Sequence, residues 1–338
     1  MAVATGQESK EVVVKRYVGI AALKFVALNP TREELNNILG QDFTNEEIKY
    51  IDETTVKDKD QKDVNVPRVR LSFVMKTDPQ IACNNGIDTH FIVNYFMSKN
   101  AVYSFKDGVK LQVIDAYGRT TWATPEQLKE QVVPEYIIKN GPRKGQSMKA
   151  NISVPFRAAY QGEENIVKFI KAFLVIPRPD AWNNDTKTYV MKTDVKELEK
   201  SACQLDDIKK YFDGNVNEIA KIMKFQPNNT VKMLVGVRTA QNGAQYQDFY
   251  VQHPLTLSTT DYKYLENDLN EDKAAGRHPS TEYRVVNLSE FTVKASDYSK
   301  EPEKAADDPF AATSASDPFV GQEAPATEMP LDTDPFAM

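Results

Sequence analysis

From Arg16 to Ala123 the chain is cut into short apolar runs separated by tight turns, and this spacing constrains the fold more than any other feature. Arg16 to Leu28 predicts a strand, with Gly19 a candidate bulge. Asn29-Pro30-Thr31 stops it, and Thr31 with Glu34 makes a capping box for a short helix that sets Leu35, Ile38 and Leu39 on one face. Thr55 to Asp63 predicts a charged loop tip or hairpin turn. Across Pro67 to Thr77, Val69, Leu71, Phe73 and Met75 alternate with Arg68, Arg70, Ser72 and Val74. Further strands follow at Thr89–Ser98, Ala101–Phe105, Val109–Asp115 and Thr120–Ala123, turned by Lys106-Asp107-Gly108 and Ala116-Tyr117-Gly118-Arg119. Thr124 caps a helix that begins at Pro125. Short antiparallel strands on brief turns predict a closed or partly closed β-barrel.

Beyond this run the period changes. Ile166, Phe169, Ile170 and Phe173 recur at helical spacing, and residues 194–224 predict two or three short helices facing in through Leu198, Leu205, Ile208, Phe212, Ile219 and Ile222. Strands return at Thr230–Thr239 and Tyr246–Val251 around Gln241-Asn242-Gly243, a hairpin signal. A polar helix is expected over Asp261–Ala275 and a long strand over Thr281–Tyr298. The expected class is α+β and β-rich: a barrel core with a helical insertion around 161–225. The expected organisation is a lead-in over 1–15, a body over 16–300 and a tail over 301–338. The strand, helix, strand order also allows two subdomains.

Residues 301–338 hold nine acids and one base, a net of −8 against −6 for the whole chain, which leaves +2 on residues 1–300. This segment is small, acidic and proline-rich, and it cannot bury enough apolar surface to fold alone, so a disordered tail is expected. It repeats one triplet: Asp308-Pro309-Phe310, Asp317-Pro318-Phe319 and Asp334-Pro335-Phe336. Each copy offers one ring beside one carboxylate, as a docking element for a partner with an apolar basic pocket would. No apolar window is long enough for a membrane span, and Glu8, Lys10 and Glu11 interrupt any signal-peptide core. Two cysteines, Cys83 and Cys203, point to a reducing compartment.

Catalytic signatures are missing from the sequence. There is no phosphate-cradling glycine loop, no Gly-x-Ser-x-Gly elbow, and no carboxylate beside His90, His253 or His278 that predicts acid–base work. Glu163-Glu164 and Asp206-Asp207 suit helix N-termini better than metal sites. No metal or other cofactor is expected. What does stand out is the lack of any acid between Glu135 and Glu163, where Lys139, Arg143, Lys144, Lys149 and Arg157 interleave with Tyr136, Phe156 and Tyr160. A second acid-free window, Ile219 to Gln247, holds Lys221, Lys224, Lys232 and Arg238 and ends near Tyr246 and Tyr250. Cations hold phosphates while rings stack on unpaired bases, so this pairing suits single-stranded nucleic acid; solvated loops and buried strand rings are the plainer alternative.

Several segments together resemble the replicative single-stranded DNA-binding proteins of large tailed bacteriophages, the crAss-like phages among them. They are Tyr17-Val18-Gly19-Ile20 through Ala27-Leu28-Asn29-Pro30-Thr31-Arg32-Glu33-Glu34-Leu35, Val113-Ile114-Asp115-Ala116-Tyr117-Gly118-Arg119-Thr120-Thr121-Trp122-Ala123, Ala159-Tyr160-Gln161-Gly162-Glu163-Glu164, and the Asp-Pro-Phe terminus. The resemblance spans most of 16–175 plus the tail and is thin from 176 to 280. It implies an OB-fold core, sequence-tolerant single-strand binding in DNA replication and recombination, and the cytoplasm of an infected bacterial host. It also implies a tail that touches polymerase, helicase or primase and competes with DNA. Some relatives fold around zinc; this chain has no Cys/His cluster for that. Carried onto these positions, the groove candidates are Tyr103, Phe105, Lys106, Tyr117, Arg119, Trp122, Lys139, Arg143, Lys144, Lys149, Phe156, Arg157 and Tyr160. Trp122 either stacks on a base or plugs the barrel end. RNA is not excluded as the ligand. Two other classes fit the tail: an endocytic-type adaptor that uses Asp-Pro-Phe motifs, and a phage virion component.

Overall fold

A computed structural model describes residues 12–15, 17–42, 46–84, 86–152, 154–174, 182–183, 185, 188–205, 208–225, 230–243, 245–250, 262–277, 281–282 and 298–301. The acidic tail beyond 301 with its nine Asp-Pro-Phe residues, the lead-in before Val12, and 283–297 of the expected last strand lie outside the described residues.

In chain order the strands and helices are β1 (Val12–Lys15), β2 (Gly19–Leu28), α1 (Arg32–Leu39), β3 (Ile51–Lys57), β4 (Asp63–Thr77), β5 (His90–Ser98), β6 (Tyr103–Phe105), β7 (Gly108–Asp115), β8 (Thr120–Ala123), α2 (Pro125–Glu130), β9 (Glu135–Ile137), β10 (Ser147–Lys149) and β11 (Phe156–Ala158). Then come α3 (Glu163–Ala172), β12 (Trp182–Asn183), β13 (Thr188–Tyr189), α4 (Thr193–Cys203), α5 (Ile208–Phe212), α6 (Asn217–Phe225), β14 (Val231–Thr239), β15 (Gln245–Phe249), α7 (Tyr262–Ala274), β16 (Thr281–Glu282) and β17 (Tyr298–Glu301). The α+β, strand-rich class expected from the sequence holds, and the helices α3 to α6 fall where the insertion was expected. The described residues divide into two compact units. One takes the described parts of Met1–Asp52, Arg68–Met97 and Gly162–Ala306, the other those of Glu53–Pro67 and Ser98–Gln161.

One sheet is ordered β15-β14-β2-β4-β3, with β16 beside β14 and β5 beside β4, and all of it but Glu53–Lys57, Asp63–Pro67 and Ser98 belongs to the first unit. β2 is buried from Gly19 to Leu23, as a central strand covered on both faces must be. α7 covers Ile20 and Leu234 through Leu265, and α6 packs on the strand as well. A bulge sits between Phe25 and Ala27 rather than at Gly19, and the extra residue, Val26, is pushed out to solvent. Gly19 instead carries a φ of 127°, open to glycine alone. The core is a ring cluster: Phe73 lies 4.8 Å from Phe169 and 5.9 Å from Tyr95, and Phe169 lies 5.3 Å from Phe173. These are the apolar positions that gave α3 its period, now closed over the inward face of β4 and β5.

In the second unit β7 is the hub. It pairs antiparallel with β6, β8 and β11, and β9 and β10 form a separate two-stranded sheet. One face of β7 is sealed: Leu111 and Val113 pack with Ala123, Ile152 and Phe156, and with Leu128 of α2. Thr124 caps α2 as expected, and Gln127 completes a capping box there that goes beyond that expectation. Gln131, just past its end, then donates to the carbonyl of Phe156 at 2.9 Å and accepts from its amide at 3.0 Å, clamping β11.

The described strands form open antiparallel sheets, and none closes into a barrel. Barrel closure needs strands long enough to tilt and stagger all the way round. Around β7, the neighbours β6, β8 and β11 run for only 3, 4 and 3 residues. In the larger sheet β15 and β3 end the strand order as edges.

Candidate nucleic-acid interface

Register decides which side chains share the open face of the β7 sheet. Phe105 lies opposite Gly108 across a two-residue turn, so Tyr103 lies opposite Lys110. On the other pairings Gln112 lies opposite Trp122, and Ile114 opposite both Thr120 and Arg157. Directly opposed residues project to the same side, and so do residues two apart along a strand. Tyr103, Phe105, Lys110, Gln112, Trp122 and Arg157 therefore occupy one face, with Leu111, Val113 and Phe156 on the other.

That face carries a ring cluster with solvent access. Trp122 lies 5.2 Å from Tyr103 and 5.3 Å from Phe105, both edge to face. Trp122 and Tyr103 are each 38% exposed. Leaving a large ring more than a third open forgoes roughly 1–2 kcal/mol of burial per ring, so two such rings packed on the half-buried Phe105 are a poor way to finish a surface unless something covers them. Ile114, on the same face, is buried, which confines the open part to the Tyr103–Trp122 end. The Lys110 ammonium sits 5.6 Å from the centre of the Phe105 ring and pairs with Asp107 in the turn. Lys106, in the same turn, is exposed. Partial burial raises the Tyr103 phenol above its ordinary value, so it stays neutral.

The β7–β8 turn is locked from beneath. The buried carboxylate of Asp115 accepts from the amides of Tyr117 at 2.8 Å and Arg119 at 2.9 Å, and from Nε of Arg119 at 2.7 Å. Gly118, at φ 78°, helps close the loop from Ala116 to Arg119. Asp58 repeats the device between β3 and β4, accepting from the amides of Asp60 and Lys62, with Gln61 at φ 60°. Those backbone bonds, the one from Lys62 foremost, hold the Asp58 carboxyl below the usual carboxylate range. Tyr117 is 53% exposed, with the Arg119 guanidinium 5.2 Å from its ring centre. Arg119 is thus committed to Asp115 and to Asn151, at 3.3 Å, before any phosphate arrives.

The remaining candidates divide. Arg157 lies 5.8 Å from the ring centre of Tyr160, a second guanidinium–ring pair. Phe156 is buried in the core beneath the sheet and turns its ring away from solvent. Lys139, Arg143, Lys144 and Lys149 are all exposed on the β9–β10 hairpin. Lys110 escaped the sequence reasoning, although the two-residue Lys106-Asp107 turn fixes it opposite Tyr103. In the second acid-free window, Arg238 lies opposite Tyr246 with its guanidinium 5.2 Å from the ring centre. Tyr250 is buried there and donates to Asp272 at 2.7 Å.

Among the described residues no group of three or more His, Cys, Asp or Glu side chains is placed to hold a metal ion, and Cys83 and Cys203 are buried and not joined in a disulfide. No described helix is long and apolar enough to cross a membrane. Comparison with protein-family models, curated proteins and solved structures finds no match.

Proposed function

We propose that this protein binds single-stranded DNA with little regard to sequence, holding unpaired bases on the open face of the β7 sheet. The observation that carries this is the joined cluster of Tyr103, Phe105 and Trp122, half-open to solvent on a face whose reverse is sealed by an apolar core. Rings in that setting stack on bases of any identity, each stack worth about 1–3 kcal/mol. Lys106, Lys110 and Arg157 supply cations beside them, and Tyr117 with Arg119 offers a further ring on a turn already held in place. Of the hairpin cations, Lys149 adds a phosphate contact, while Lys139, Arg143 and Lys144 at the hairpin tip stand outside the single-strand site. Phe156 has no part in contact with the ligand.

Short antiparallel strands that present one ringed face are how OB-type folds take up oligonucleotides, and we extend the OB-type reading to the β7 sheet on that ground alone. The resemblance to phage replicative single-strand binders agrees with this chemistry. With it go the proposals of a role in replication and recombination within an infected bacterial cell, and of a tail that recruits polymerase, helicase or primase through its Asp-Pro-Phe triplets.

The test is a salt titration of binding to oligo-dT. With about five phosphates neutralised, log K should fall against log salt with a slope near −3.5. The double variant Tyr103→Ala, Trp122→Ala should lose about 30-fold or more in affinity at fixed salt. Wild-type protein that shows no salt-sensitive binding, or a double variant that binds as wild type, ends the proposal.

A further inference from the structure

We infer that the β9–β10 hairpin is a ribbon that contacts duplex DNA, so that the preferred substrate is a junction between a single strand and a duplex; this rests on the single-strand reading of the β7 face. β9 and β10 pair only with each other among the described strands, and both outer edges of this two-stranded sheet are without a neighbour. The loop between them is folded on itself. The amide of Gly145 donates to the carbonyl of Ile138 at 2.7 Å, and that of Ile138 to Gln146 at 3.0 Å. Every residue from 139 to 147 is exposed. The tip therefore presents Lys139, Arg143 and Lys144 on an ordered support, with Arg143 further steadied by a 3.2 Å bond from Nε to Gln146.

Two observations separate this element from the ringed face. The first is the charge of its tip: Glu135, which opens β9 and accepts from the Ser147 hydroxyl, is the last acid before Glu163. The second is the lack of rings at its tip: Tyr136 of β9 is half-buried opposite Met148, and no aromatic residue occurs between it and Phe156. A single strand rewards stacking as well as cations. A duplex hides its base faces and offers rows of phosphate and groove edges, which cations on a ring-free hairpin tip fit. The major groove, about 12 Å wide, admits a two-stranded ribbon. Ile137, 57% exposed and sharing a face with Ser147, Lys149 and Glu135, adds an apolar contact of the kind a thymine methyl group accepts. The ribbon is rooted in the unit that carries the rings. Val133 and Ile152, on either side of it, pack in the core under β7, and Asn151 accepts from Arg119 beside the exposed Tyr117.

The experiment compares full-length protein with the triple variant Lys139→Ala, Arg143→Ala, Lys144→Ala on two probes: an oligo-dT strand, and a duplex that ends in the same oligo-dT arm. Wild type should bind the armed duplex more tightly and with the steeper salt slope. The variant should lose about 2.7 from that slope, at 0.9 per duplex phosphate, and should keep its oligo-dT slope. A drop of about 2 on oligo-dT would place the tip on the single strand and overturn the inference, as would an unchanged slope on the armed duplex. The Tyr103, Trp122 double variant, run alongside on oligo-dT, reports separately on the ringed face.

Discussion

Asp115 organises more of the candidate interface than any other single residue. One buried carboxylate satisfies two turn amides and a guanidinium, and this fixes where Tyr117 and Arg119 stand. Asp115→Ala leaves those donors short of a partner at a buried position, and we expect a loss of about 2–3 kcal/mol in urea unfolding. A loss below about 0.5 kcal/mol would mean that the turn holds without it. His90 supplies the pH dependence. Burial, helped by Lys76, lowers its imidazole below the ordinary value of 6.5, against a smaller opposing pull from Asp88. The unfolded chain then takes up the proton first as pH falls. The contribution of His90 to stability is therefore intact above pH 6.5 and is lost as pH drops through the lowered folded value. Between pH 7.5 and pH 5, the urea midpoint of wild type should fall further than that of His90→Asn; equal falls would remove His90 as the cause.

At the scale of elements, the entry to α3 is the tightest joint. Gly162 stands at φ 81°, and a Cβ there would meet the carbonyl oxygen of Phe96 at 2.0 Å. Neither backbone can yield cheaply, so Gly162→Ala should cost about 3 kcal/mol or more and lower the melting temperature by several degrees. A variant that melts with wild type would show that α3 enters by another path. Much of this level was legible in the sequence. The Thr31–Glu34 capping box and the Thr124 cap form as their spacing dictates, because an N-cap is a contact within one turn of chain. The two-residue turn at Lys106-Asp107 likewise sets its own register. What escaped depended on contacts distant in sequence. Phe156 looks like any strand aromatic until Ile152 and Leu111 close around it, and Arg119 looks like a free cation until the fold buries Asp115 beneath it. Barrel closure also failed for a long-range reason, since pairing between first and last strands leaves no local trace.

At the scale of the whole molecule, charge divides the chain: −8 on residues 301–338 and +2 on the rest. On the proposed reading, a strongly acidic segment of the same chain competes with a polyanion for the cations of the interface. Removing residues 301–338 should therefore tighten oligo-dT binding most at low salt, where screening is weakest, and the gain should fade toward high salt. A gain independent of salt would point to a cause other than charge. Phe336→Ala, by contrast, should abolish partner capture while leaving DNA affinity in place; capture that persists would move docking to the other two triplets. The central claim, that open rings on the β7 sheet receive unpaired bases, is most directly tested by tryptophan fluorescence. In a Trp182→Phe background only Trp122 emits, and titration with oligo-dT should quench it strongly while a blunt duplex leaves it nearly unchanged. Equal response to both, or no response to the single strand, would contradict the claim.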